Sequence, residues 1–300
     1  MNIIRLRIIE LMAKYGKVTA VAEVLGLKQP TVTFHMKKME QEFGLQLFES
    51  RYGRTILTEA GNSLLHYAVK INSLAQEAGR VVKEYEALDC GSLRIGASYV
   101  PGTYVLPQAL TDFSQNHPKV SLSLTVKPAP VIQELLQKHE IDIGLFSAET
   151  CLDSTLVSEV LCEDELVVIF APAHELSAGL LVDAGQLGKY PLILHGQESN
   201  TRQMTEIWAK SQDVEFRRHM EIDSLEAIKQ VVALGSGISI VSRLAVANEI
   251  RNGSLHCYPL NGVKRLVYVA INADRHRSAL VNRFIEDLRI LAPRLSTAVY

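Results

Sequence analysis

The stretch TAVAEVLGLKQPTVTFHMKKMEQEFGLQLFESRYGRTILTEAG, residues 19–61, decides how this chain reads. A short helix ends near Gly26, where a residue without a Cβ makes the tight turn. Pro30 then opens a second helix, at the position where a missing N–H costs nothing. Val32, Met36, Met39 and Phe43 recur at i, i+4, i+7 and i+11, which predicts one buried stripe. Thr31, Phe34, His35 and Lys38 are left facing outward, with Thr33 and Lys37 on the flanks. Short hydroxyls, an imidazole and ammonium groups suit a helix that enters a major groove and meets bases and phosphates. A wing follows, and Leu57-Thr58-Glu59-Ala60-Gly61 closes the segment. Turn, proline, stripe and wing in this order predict a winged helix-turn-helix rather than a polar surface helix.

These residues resemble the LysR-type transcriptional regulators, and the resemblance covers the whole chain. Its pattern is met by Ala22, Leu25, Gln29-Pro30, Val32, Glu40, Gly44, Leu47-Phe48, Arg51, Leu57-Thr58 and Ala60-Gly61. Val21 departs from it in place of an alanine, Lys28 in place of the serine before Gln-Pro, Thr31 in place of an alanine and Thr33 in place of a serine. Lys17 stands where a serine often caps the preceding helix, which passes the capping role to Thr19. The resemblance implies a module that binds double-stranded operator DNA through Thr19, Lys28, Gln29, Pro30, Thr31, Thr33, Phe34, His35, Lys37 and Lys38. Arg51 and Arg54 near the wing are expected to contact phosphates. It also implies RNA polymerase as a partner and a homodimer or homotetramer as the working form.

Bulk properties are compatible with this and weak alone. Three hundred residues suit two or three domains, and 47% apolar residues allow a sizeable core. Residues 1–60 carry nine Lys/Arg against six Asp/Glu, a local +3; the other 240 carry 22 against 27, a local −5. A slightly basic end on an acidic body fits DNA contact confined to that end. Arg5 and Arg7 interrupt the first apolar stretch, so no signal peptide is expected, and the run Leu166 to Ala171 is too short to span a bilayer. The expected location is the cytoplasm, without membrane contact. Cys90, Cys151, Cys162 and Cys257 form no C-x-x-C pair and are expected to be reduced, buried thiols.

The domain expectation is a winged helix-turn-helix over 1–60, a linker and dimerisation helix over 61–89, and an effector-binding domain over 90–300. Leu64, Ala68, Ile71, Ala75, Ala78, Val82 and Tyr85 alternate in steps of four and three, a heptad seam that asks for a second copy. Beyond Gly91 strands and helices alternate, which implies an α/β fold. Strands are expected at 92–97, 120–126, 141–146, 157–161, 165–171, 191–195, 217–222, 237–241 and 266–271. Helices are expected up to about residue 117, then at 131–139, 202–211, 225–234, 243–252 and 276–291. By resemblance this body forms two periplasmic-binding-protein-like lobes, lobe I about 90–163 and 267–300, lobe II about 164–266. Crossing strands are implied near Cys162–Glu165 and Val263–Leu266.

A small effector, anionic by preference, is expected between the lobes, where strand ends and helix N-termini collect ligands. The candidate contacts are Ser98, Tyr99, Thr103, Phe146 and Ser147 in lobe I, with Glu198, Ser199, Thr201, Arg202, Ser224 and Gly237 in lobe II. Arg202 is the strongest candidate for an anion through bidentate hydrogen bonds, against the alternative of a plain salt bridge. His195 and Trp208 read as core or wall residues. Neither a catalytic constellation nor a metal spacing is visible, so neither enzyme activity nor a cofactor is expected. Two rival functions remain open. One is a redox-sensing regulator of the same fold; the other is an α/β solute-binding protein or enzyme with an N-terminal interaction module.

Overall fold

The computed structural model describes residues 2–51, 53–86, 91–151, 153–178, 184–216, 219–275 and 277–297. Two units emerge: residues 1–88 with 138–140, and residues 89–137 with 141–300.

The first unit strings together α1 (Ile3–Tyr15), α2 (Val18–Leu25), α3 (Gln29–Phe43), β1 (Phe48–Arg51), β2 (Arg54–Leu57) and α4 (Glu59–Glu86). Its core takes Leu6, Ile9 and Met12 from α1, Val21 from α2, and Val32, Met36 and Met39 from α3. Asn2 caps α1 through Arg5 N, and Gly16, Gly26 and Gly44 end the three helices with positive φ. Phe43 departs from the expected stripe: it is 42% exposed, because the chain turns away at Gly44 before anything can pack on it. Thr19 does not cap α2 either. Lys17 holds the cap position without a side-chain bond, and Thr19 lies one residue inside the helix.

The wing is the antiparallel β1–β2 hairpin, with Arg51 opposite Arg54. Thr58 joins it to α4: its hydroxyl donates to Gln46 O at 2.8 Å and accepts from Gly61 N at 3.1 Å. The heptad seam divides. Leu64, Ala68 and Ile71 pack into their own module, whereas Ala78 and Val82 are exposed. The near half of the stripe is buried within the chain because α1 lies along α4. The side chain of Tyr85 lies outside the described residues, as do Cys90, Arg217 and His276.

The second unit opens with β3 (Gly91–Ala97), a π-helical turn (Pro101–Val105) and α5 (Leu106–Asn116). β4 (Val120–Val126), α6 (Ala129–Gln137), β5 (Ile143–Ala148) and β6 (Leu156–Glu163) follow. Next come β7 (Leu166–Phe170), α7 (Ala184–Leu187), β8 (Leu192–Leu194), α8 (Asn200–Ser211), β9 (His219–Glu221), α9 (Leu225–Ala233) and β10 (Ser239–Ser242). α10 (Ala247–Arg251), β11 (His256–Pro259), β12 (Leu266–Asn272) and α11 (Ala279–Thr297) complete it. β11 adds a strand that the apolar pattern does not mark, since His256 to Pro259 shows no apolar alternation. The expected helix over 243–252 is shorter, a 3-10 turn leading into α10.

Five strands in the order β4-β3-β5-β12-β6 make the first lobe's sheet, with β12 antiparallel to both neighbours. Val267, Val269 and Ile271 face α5 and α11, whereas Tyr268 and Ala270 face α6. The second lobe holds β10-β7-β11 and the parallel pair β8-β9. Leu166, Val168 and Phe170 of β7 pack toward Trp208 of α8, while Val167 and Ile169 pack toward Ile228 of α9. A strand covered on both faces explains why 166–170 reads as an unbroken apolar run. β6 leaves the first sheet at Glu163 and β12 enters it at Leu266, directly opposite. The two lobes are therefore joined through Asp164-Glu165 and the return at Arg265.

Candidate functional site

The outward face of α3 carries the DNA-facing candidates. Lys28, Gln29, Pro30, Phe34, Lys37 and Lys38 are exposed, and Phe34 lies edge-to-face on His35 at 5.8 Å. Thr31, Thr33 and His35 are half-buried. The Thr33 hydroxyl donates to Gln29 O at 3.2 Å, so only its lone pairs remain for another donor. Arg51 and Arg54 stand exposed on the wing, with Arg51 3.1 Å from Glu49. Glu40 fixes the wing against α3 by accepting from Leu47 N at 2.9 Å and Phe48 N at 3.2 Å. Thr19 is exposed on α2.

The effector-side candidates divide between two lobes. Ser98 is buried, and its Oγ accepts from Ser147 N at 3.2 Å. Tyr99 and Thr103 are exposed at the π-helical turn. Phe146 does not line a cleft. It is fully buried toward α6 and stacks on Tyr268 at 6.1 Å, since alternate residues of β5 face opposite sides. Ser224 caps α9 through Ala227 N. Gly237 answers a close approach by Pro191 rather than by a ligand. Glu198 is exposed, and Ser199 sits at the cap of α8 without a side-chain cap bond. Arg202 takes the salt-bridge alternative: its guanidinium meets Glu206 at 2.8 Å, Glu221 at 2.6 Å and His195 O at 3.1 Å.

Two residues that sequence reasoning missed bring the lobes together. Asp164, on the first crossing, is fully buried and Arg265, on the return, is 3% exposed; their side chains approach to 2.9 Å. Asp164 also accepts from Ser147 Oγ of the first lobe at 2.8 Å and from Ser242 Oγ of the second. Arg265 Nη1 donates to Thr201 Oγ1 at 2.7 Å, in the first turn of α8. Thus Ser147 and Thr201, far apart in sequence, are linked by one buried ion pair. The available signal was opposite charge at the two implied crossings, Glu163-Asp164-Glu165 on one and Lys264-Arg265 on the other.

His195 lies in the same region, and burial followed by the Arg265 charge pushes its pKa down to about 4. Its imidazole is therefore neutral near pH 7. An unfolded histidine titrates near 6.5, so the unfolded chain holds the extra proton between that value and about 4. The stabilising contribution is complete above pH 6.5 and is lost as pH falls through the folded value, about 3 kcal/mol in all. Acid melting of His195→Gln should accordingly show a flatter stability profile between those two pH values; an unchanged profile would refute this assignment.

A second contact spans the lobes at the π-helical turn. The Tyr104 hydroxyl bonds Glu226 of α9, and buried Lys229 lies 2.9 Å from Glu226 and 2.8 Å from Glu249. Cys162 and Cys257 are poorly suited to redox work. Burial pushes Cys162 up to about 12, with Asp164 and Glu163 adding to the shift, and burial also raises Cys257. Among the described residues no group of three or more His, Cys, Asp or Glu is placed to hold a metal ion. No helix among them is long and apolar enough to cross a membrane.

Comparison with known proteins finds a counterpart for each of the two parts of the chain. Residues 3–62 match the model of the bacterial regulatory helix-turn-helix protein, lysR family, and residues 86–292 match the LysR substrate binding domain. A probable RuBisCO transcriptional regulator of Trichormus variabilis is 32% identical over 95% of this chain and 86% of its own. The full-length OxyR of Pseudomonas aeruginosa shares the fold, with TM-score 0.72, 23% identity and 97% of each chain covered. The CcmR regulatory domain of Synechocystis PCC6803, solved in complex with 2-PG, is 27% identical with TM-score 0.61 over 67% of this chain and 97% of that one. A DNA-binding module matched over nearly its whole length, followed by a matched effector-binding body, places this chain in the family of LysR-type transcriptional regulators.

Proposed function

We propose that this regulator couples operator binding to a small acid, bearing a phosphate or carboxylate, held between the two lobes. The observation that carries the reading is the uncapped start of α8 beside a buried arginine, at the point where both lobes meet. Free N–H groups at a helix start and a guanidinium are the donors an oxyanion needs. Ser98, Tyr99, Thr103 and Ser147 would form the opposite wall, with Glu198, Ser199, Thr201 and Arg202 at the α8 side. CcmR, which is bound to 2-PG, makes 2-phosphoglycolate the first acid to try. The similarity to probable RuBisCO transcriptional regulators suggests target genes in carbon assimilation.

The working form is a homodimer or homotetramer. Tyr67, Leu74 and Val82 leave α4 with an exposed apolar face, which a second copy would cover. Two modules would then read a pseudo-palindromic operator, with Lys28, Gln29, Pro30, Thr31, Thr33, Phe34, His35, Lys37 and Lys38 at the groove and Arg51 and Arg54 on phosphates. Thr19 would approach the backbone from α2. RNA polymerase in the cytoplasm would be the downstream partner, and no reaction is catalysed on the effector.

Mobility shifts at several salt concentrations, with and without 2-phosphoglycolate, test this. Arg51→Gln with Arg54→Gln should weaken all sequences alike and flatten the salt slope by about 2 per protomer. His35→Ala should alter preference among operators. Binding insensitive to salt and to every small acid would defeat the reading.

A further inference from the structure

We propose that Arg265, rather than Arg202, holds the effector's negative charge, and that Asp164 is the resting counter-ion it exchanges for the ligand. This deepens the proposed function and rests on the reading of the cleft as an effector site. Arg202 already faces two carboxylates and a carbonyl. Arg265 faces one carboxylate, and its Nε, buried, has no hydrogen-bond partner. Its Nη1 is anchored on Thr201 of the α8 first turn, where Ser199 provides no side-chain cap. An oxyanion at that helix start lies within reach of both the amides and the guanidinium.

Asp164 is built to survive the exchange. Two hydroxyls, Ser147 Oγ and Ser242 Oγ, still donate to it when Arg265 turns toward a ligand. Those hydroxyls come from different lobes, so a weakened Asp164–Arg265 pair alters the contact that joins them. Occupancy at α8 is thereby converted into a change at the crossing, which is the differential interaction that a two-state regulator requires. Neutral His195 adds an Nε2 without a partner, buried in the same place. It suits a hydroxyl or acidic O–H on the ligand, so the class is a small acid that also carries one such donor.

The exchange predicts opposite signs for the two partners. In the full-length chain, with inorganic phosphate and phosphonoacetate as probes in calorimetry, Asp164→Asn should tighten binding about tenfold by releasing Arg265. Arg265→Lys should weaken it about tenfold, since the planar fork is lost, and Arg265→Gln should remove it. Removing one member of a buried pair threatens folding, so the neutral double variant Asp164→Asn with Arg265→Gln serves as control. It should melt as a folded protein and bind neither probe. If Asp164→Asn and Arg265→Gln weaken binding alike, or if the double variant binds as well as the parent, the exchange is overturned while the cleft stands. If neither probe binds the parent or Asp164→Asn, the cleft reading itself falls, and the exchange with it.

Discussion

Gly61→Ala should cripple operator binding while leaving the effector-binding body folded. A Cβ at this position would stand 2.3 Å from Leu47 O and 3.2 Å from Leu47 C, both backbone atoms that cannot swing aside. Leu47 O is itself the acceptor for Thr58 N at 3.0 Å, and Leu47 N is held by Glu40. One methyl therefore forces apart α4, the start of the wing and the end of α3. Alanine gains up to about 1 kcal/mol in helix propensity over glycine. Overpacking typically costs about 1–3 kcal/mol, and a 2.3 Å approach to a backbone oxygen lies at the upper end, so sterics win. The module's melting point should drop on the order of 10 °C. Operator affinity should drop as well, because the wing no longer stands in register with α3. Unchanged melting and an unchanged mobility shift would refute this account.

Gly237→Ala should do the reverse, destroying the effector response and sparing the DNA module. Gly237 has φ +151°, which side chains rarely adopt, and an added Cβ would lie 2.2 Å from Pro191 O. That carbonyl accepts from Ile238 N at 3.0 Å, and Ile193 N donates to Ile238 O at 2.8 Å. The contact joins β8 to the strand that becomes β10, beneath His195 and the loop to α8. Backbone strain of about 1–3 kcal/mol adds to an overpacking cost of similar size. A loss of about 4 kcal/mol is a large share of a domain's stability. Thermal melting should show the second unit destabilised, and small acids should no longer shift its transition. A variant that melts like the parent and keeps its ligand response would contradict this.

Both glycines show where legibility stops. Gly61 was readable as part of a motif, but its reason, a carbonyl fourteen residues earlier, was not. Gly237 reads in the sequence as a lining residue of the effector cleft, and the close approach it permits comes from the Pro191 carbonyl. Phe43 obeyed the helical spacing and still lies exposed, because periodicity cannot see that its helix ends there. Arg202 fitted the expected anion contact by its place after a strand. Only folding brought Glu221, nineteen residues on, within 2.6 Å of it.

By itself the sequence determined the elements whose causes lie within about one helical turn or one strand period. These include the α3 stripe of Val32, Met36 and Met39, the Pro30 start, and the apolar strands of the α/β body. It also determined the family, since those local choices recur in a fixed order. Tertiary structure alone decided which charges meet. Asp164 and Arg265 are separated by most of the second lobe, yet they sit side by side because β6 and β12 pair where the chain leaves one sheet and returns. Electrostatic partners are chosen by distance in space, which local periodicity does not encode.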